Sequence, residues 1–197
     1  MTGPTLMTPE MRAEDSKAVF GFFTYLMTDF VLFAALFATY AVLRSGTFGG
    51  AAPASVFNAP FALLETLILL SSSFACGLAL LAARRENLRN TLLALSATFV
   101  LGAAFLALEL SEFSRLVASG AGPARSAFLS SYFTLVGTHG LHVALGLIWM
   151  SALALSLRMR GFTRGNLRKL ALWSLFWHFL DIIWIFIFTI VYLFGII

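Results

Sequence analysis

Five stretches of this 197-residue chain are apolar for long enough to cross a lipid bilayer. At ~1.5 Å rise per residue, ~20 apolar residues traverse a hydrocarbon core ~30 Å thick. The stretches lie at about 19–43, 60–83, 91–113, 130–157 and 170–195. Each is expected to be a helix, because a backbone N–H or C=O left unpaired in hydrocarbon costs several kcal/mol and a helix pairs its own. Composition agrees: 60% of the residues are hydrophobic and 11% charged, against ~25% charged in water-soluble domains. That is too little polar surface to coat a globule, so lipid must solvate the chain.

The chain therefore reads as an all-α integral membrane protein. Residues 1–18 form a cytoplasmic N-terminal tail and residues 19–197 a single membrane domain, a bundle of five transmembrane helices. Gly46, Gly49, Gly50 and Pro53 break the chain in the first loop, and Gly120, Gly122 and Pro123 in the third. The second and fourth loops, 84–90 and 158–169, are short and basic instead. The tail carries Glu10, Glu14 and Asp15 beside Arg12 and Lys17, and the apolar run after it exceeds the ~7–15 residues of a signal-peptide core. The first apolar segment is thus expected to be retained.

Orientation follows from the basic residues, since cytoplasmic loops keep an excess of Lys and Arg. Arg12 and Lys17, then Arg84, Arg85 and Arg89, then Arg158, Arg160, Arg164, Arg168 and Lys169 fall on one side. They are ten of the 13 Lys and Arg residues. Arg44, Arg115 and Arg125 fall on the other. The N-terminus is expected in the cytoplasm and the C-terminus in the periplasm. The same distribution explains a pI near 9.7 without nucleic acid, because the basic residues form no continuous face. Arg84, Arg85, Arg158, Arg160 and Arg164 are candidate contacts for anionic phospholipid headgroups. Cys76, alone, excludes an intramolecular disulfide, a CxxCH haem attachment and a four-thiolate iron–sulfur site within the chain.

Ionisable residues inside the spans cost ~2.5–3.5 kcal/mol each on insertion scales, so they face protein or water. Asp29 lies in the first span, Glu65 in the second, Glu109 and Glu112 in the third, His139 and His142 in the fourth, and His178 and Asp181 in the fifth. With spans alternating in direction, Asp29, His139, His142, His178 and Asp181 share a depth of roughly 12–18 Å. Glu65, Glu109 and Glu112 form a second group nearer the outer surface, within reach of Arg44, Arg115 and Arg125. His139 and His142, His178 and Asp181, and Glu109 and Glu112 are i, i+3 pairs on one helix face. Trp177, Asp181 and Trp184 form a stripe with an acid between two indoles.

Three chemistries fit such residues. Imidazoles and carboxylates at one depth suit zinc or non-haem iron, although the Glu-x-x-His pattern of di-iron bundles is missing. His139 or His142 with His178 would suffice for a bis-histidine haem. Cross-helix hydrogen bonding, ~0.6–2 kcal/mol per pair, asks for nothing further and is the reading adopted. Gly137, Gly140, Ala144 and Gly146 around the two histidines suit close helix approach. Phe30, Phe33 and Phe37, at helical spacing with no polar handle, read as core or lipid-facing. A transporter would more often show broken helices or a repeated half, and neither is visible.

Several runs carry a family resemblance. Leu26-Met27-Thr28-Asp29 and Leu36-Phe37-Ala38-Thr39-Tyr40-Ala41-Val42-Leu43 come first. Ser111-Glu112-Phe113, Gly137-Thr138-His139-Gly140-Leu141-His142-Val143 and Phe176-Trp177-His178-Phe179-Leu180-Asp181 continuing to Trp184 come after them. Over residues 18–197 the chain resembles subunit III of the haem–copper oxidases, most of all the quinol-oxidising cytochrome bo-type form. The resemblance implies a non-catalytic accessory subunit of a bacterial inner-membrane enzyme that reduces dioxygen to water and pumps protons. Haem and copper would sit in the catalytic subunit I, the main partner, beside subunit II and a small subunit IV. No catalytic, cofactor-binding or metal-ligating residue is then expected in this chain. Five spans, and an aspartate at position 29 where cytochrome c-oxidising members have glutamate, favour the quinol branch. The resemblance also implies that this carboxylate reacts with carbodiimides, which requires a protonated acid in an apolar setting. Glu65, Glu109, Glu112, His139, His142, His178 and Asp181 would form polar networks between helices.

Overall fold

The computed structural model describes residues 9–47 and 59–196. Residues 1–8 of the tail and the loop breakers Gly49, Gly50 and Pro53 lie outside the described residues. The rest is helical, with no strand among the described residues: α1 (Pro9–Leu43), α2 (Ala59–Arg84), α3 (Leu88–Ala118), α4 (Ala127–Arg160) and α5 (Arg164–Ile187). A π-helical turn, Phe188–Leu193, and a last α-turn, Phe194–Ile196, continue α5. All five helices are long and apolar enough to cross a membrane, as the five apolar runs require.

Helices α3, α4 and α5 begin before their apolar runs because polar caps, not the onset of hydrophobicity, start them. Asn87 accepts from the N–H of Asn90, Ser126 from that of Leu129 and Thr163 from that of Asn166, each satisfying a first-turn donor. At its other end α3 runs on to Ala118, five residues past the expected end at 113, where the Ser119 N–H bonds the carbonyls of Arg115 and Val117, and residues 9–18 of the expected tail belong to α1. Gly161 ends α4 with φ of 64°, a conformation that suits glycine, while its N–H bonds the carbonyl of Leu157. The Asn166 amide donates to the Gly161 carbonyl at 2.9 Å and so ties α5 back over the turn.

Helices α2, α3, α4 and α5 close a ring in which each packs on the next and α5 returns to α2. Helix α1 lies outside this ring, mainly against α4 and more lightly against α5. Helix α5 is the most enclosed, since Trp173, Trp177 and Trp184 are all fully buried. Their indole N–H groups donate to the Gly146 carbonyl on α4 at 3.0 Å, Ser72 Oγ on α2 at 3.2 Å and Thr66 Oγ1 on α2 at 3.0 Å. Ser72 Oγ in turn donates to the Thr98 carbonyl on α3 at 3.1 Å, so one indole couples three helices. Large side chains such as Phe20, Phe74, Val42 and Met159 face outward, as a lipid solvent allows.

The ring of Trp177 lies between two glycines. A Cβ on Gly102 of α3 would meet its Cζ2 at 2.8 Å, and one on Gly146 of α4 would meet its Cζ3 at 3.0 Å. Gly137 and Gly140 are looser, their nearest neighbours being 3.6 and 3.7 Å away. Of the small residues around His139 and His142, Gly146 is therefore the one that admits a close approach, and Gly102 is its partner across the ring. Gly102→Ala is expected to lower unfolding stability by about 1–3 kcal/mol through overpacking. Gly137→Ala is expected to be neutral or stabilising. Unfolding of both variants in mild detergent checks this; equal effects would contradict it.

Candidate functional site

Glu65 enters the bundle from the second turn of α2, and Glu109 and Glu112 from adjacent turns of α3. A carboxylate oxygen from each lies within 4.8 Å of the other two, and all three side chains are buried. Tyr192 Oη donates to Glu112 Oε2 at 3.0 Å and lies 3.0 Å from Tyr132 Oη of α4. Arg115 reaches Glu112 Oε1 at 3.4 Å, with most of its own side chain in the open. Both oxygens of Glu65 and both of Glu109 have no hydrogen-bond partner.

The π-helical turn places Tyr192. Its wider i→i+5 turn inserts a residue relative to an α-helix and rotates the residues beyond it, as such turns do near functional sites. Val191 and Tyr192 are both buried as a result. Arg44, a candidate partner for the acids, instead donates to the Phe194 carbonyl at 3.4 Å.

A second polar site lies between α1 and α4. His142 Nδ1 is 2.8 Å from the Thr138 carbonyl, which only accepts, so Nδ1 carries a proton. Its Nε2 then faces Asp29 Oδ1 at 3.7 Å. A further proton on either side of that gap makes the pair attractive. Phe33, one turn beyond Asp29, packs its ring on His142.

His139, one turn before His142, points elsewhere. It is fully buried, stacked on Trp184 at a centroid distance of 5.3 Å, with Phe105 and Phe33 edge-on. Neither ring nitrogen has a hydrogen-bond partner. His178 faces α2, where its Nδ1 lies 2.6 Å from Ser73 Oγ and 3.8 Å from Asp181 Oδ2. Cys76, buried one turn along α2, donates to Ser174 Oγ at 3.3 Å, as a small buried residue would.

The five groups of equal depth thus occupy three places around the bundle: Asp29 with His142, His139 within an aromatic enclosure, and His178 with Asp181. Their imidazoles do not converge on a common point. Among the described residues, the ionisable side chains that do converge are the three glutamates. The indoles of the Trp177–Asp181–Trp184 stripe both turn inward. Phe33 and Phe37 pack internally while Phe30 is exposed. Of the basic residues named for headgroups, Arg84 closes α2 and Arg85 follows it in the turn, Arg158 and Arg160 lie in the last turn of α4, and Arg164 opens α5. Tyr132, Tyr192, Ser73 and Thr66 do not stand out in the sequence. A hydroxyl on an otherwise apolar face is the signal that each one carries.

Comparison with known proteins places these residues in a family context. A family model described as cytochrome c oxidase subunit III matches residues 10–196. The chain is 54% identical to cytochrome bo(3) ubiquinol oxidase subunit 3 of Pseudomonas aeruginosa, over 93% of this chain and 88% of that protein. It is 43% identical to quinol oxidase subunit 3 of Bacillus subtilis, over 90% and 87%. It is also 43% identical to the cytochrome bo(3) subunit of Buchnera aphidicola, over 91% and 93%.

The acids differ in access. Asp29 keeps 9% of its surface on the outlying helix α1, while Glu65 keeps none and Glu109 2%. A hydrophobic carbodiimide entering from lipid is therefore expected to label Asp29, and Asp29→Asn to abolish the adduct. Mass spectrometry of the digested chain locates the adduct; labelling confined to Glu65 or Glu109 would contradict the assignment.

Proposed function

Because this chain belongs to the subunit III family of the haem–copper oxidases, as subunit III of a quinol oxidase and one part of a multi-subunit oxidoreductase, we propose that its own role is structural. It packs against the catalytic subunit I in a bacterial inner membrane, beside subunit II and a small subunit IV. It supports the assembly, stability and proton uptake of an enzyme that reduces dioxygen to water and pumps protons. Haem and copper belong to subunit I, and electron transfer takes place there.

The observation that carries this reading is the fate of the imidazoles. A bis-histidine haem needs two of them facing across a porphyrin-sized gap. Instead His142 is held by its own helix and turned to Asp29, His139 is enclosed by Trp184, Phe105 and Phe33, and His178 is taken by Ser73. Each already serves helix packing, which in lipid is driven by such close polar and van der Waals contacts. The α-helices run unbroken through the bundle until the π-turn at 188–193, which gives no support to a transporter-like site at mid-depth.

The orientation proposed is N-terminus in the cytoplasm and C-terminus in the periplasm. It is supported by the gathering of Arg84, Arg85, Arg89, Arg158, Arg160, Arg164, Arg168 and Lys169 at the α2–α3 and α4–α5 turns. Anionic phospholipid headgroups would meet Arg84, Arg85, Arg158, Arg160 and Arg164 there. Asp29 of the outlying helix α1, with His142 of α4 beside it, is the polar pair nearest to where a neighbouring subunit would pack.

Expressed alone and extracted in mild detergent, the chain is expected to carry no stoichiometric iron or copper and no haem absorption in the visible spectrum. Co-expressed with the other oxidase subunits, it is expected to purify in a complex that has both. Stoichiometric iron or copper in the isolated chain would defeat the reading, as would failure to enter the complex.

A further inference from the structure

We propose that Glu65, Glu109 and Glu112 form a binding site for one hard divalent cation of the calcium class, bordered by the hydroxyls of Tyr132 and Tyr192. Two independent observations point to a ligand. First, carboxylates from two helices converge, with one oxygen from each within 4.8 Å of the others. Ca–O distances of ~2.3–2.6 Å accommodate that spread, since opposite ligands then stand ~4.6–5.2 Å apart. Second, all four oxygens of Glu65 and Glu109 are buried without a hydrogen-bond partner, although these two side chains are 0% and 2% exposed. A buried carboxyl with no partner in the protein either holds a proton or coordinates a cation.

The charge count fits a divalent ion. Three ionised carboxylates against the one guanidinium of Arg115 leave two negative charges, which a divalent cation neutralises. Donor chemistry selects the class: carboxylate and hydroxyl oxygens, with no thiolate and no imidazole in the cluster, suit calcium, magnesium or manganese over zinc or copper. The oxygens of Glu112 are already oriented, one by Tyr192 and the other by Arg115. That leaves Glu65 and Glu109 as the pair that closes on the ion. Arg115, 57% exposed in its side chain, marks the way in from that end of the bundle. The site would cross-link α2 to α3 where the ends of α1, α4 and the π-turn also meet.

The inference goes beyond the assembly role and stands apart from it, because iron and copper test the one and calcium the other. The full chain in mild detergent, loaded with Ca²⁺ and desalted, is expected to retain about one calcium per chain. Tb³⁺ in place of calcium is expected to show luminescence excited through the two tyrosines and quenched by added Ca²⁺. Glu109→Gln and Glu65→Gln, which keep side-chain volume, are expected to weaken binding at least about tenfold, and Asp29→Asn to leave it unchanged. A helical wild-type chain that retains no calcium and shows no sensitised Tb³⁺ emission would overturn the proposal, the carboxyls then sharing protons instead. Binding undiminished in both glutamine variants would overturn it too. The wild-type measurements decide the matter even if one variant does not fold.

Discussion

Three indole hydrogen bonds hold α5 to its neighbours, and the rest of the bundle is arranged around them. In lipid there is no hydrophobic force between helices, because acyl chains are as apolar as leucine. Association rests on close packing and on polar groups whose alternative is to go unpaired. Trp173, Trp177 and Trp184 provide both, each burying a large flat surface and directing one N–H to Gly146, Ser72 or Thr66. The fit of Trp177 between Gly102 and Gly146 fixes how near α3 and α4 come to the last helix.

With α5 in place, the polar residues that meet it are settled too. His139 meets Trp184 because that indole is already turned toward Thr66, and His178 on the adjoining face meets Ser73 of α2. The remaining ionisable groups part into an outlying pair, Asp29 of α1 with His142 of α4, the His178–Asp181 pair on α5, and an enclosed triad, Glu65, Glu109 and Glu112. The outlying pair joins α1 to the ring, with 12% of the Asp29 side chain and 13% of the His142 side chain still exposed. The triad belongs to the bundle itself, and its convergence is an internal matter of α2, α3 and the π-turn.

Five helices are legible in the sequence because length and hydropathy are properties of a single segment. The grouping of Glu65, Glu109 and Glu112 is legible too, since alternating directions put all three at one depth. Depth, however, is one coordinate of three. Asp29, His139, His142, His178 and Asp181 share it and still part into three places, because the direction a residue faces depends on which helix lies beside its own. Helix ends lie farther out for a local reason: Asn87, Ser126 and Thr163 cap helices beyond the apolar boundary. The π-turn at 188–193 leaves no mark in composition, and neither does the role of Tyr192, whose inward aim depends on that extra residue. Gly102 carries no signal of its own either, since its role exists only against Trp177.

The account stands on indole bonds between helices contributing energy and not merely occupying space. A double-mutant cycle across Trp184→Phe and Thr66→Val, read as unfolding free energy of the whole chain in detergent, measures this directly. A coupling of about 0.6–1.7 kcal/mol is the result the structure predicts. Strictly additive effects of the two substitutions would mean that the bond between α5 and α2 holds nothing together, and would contradict it.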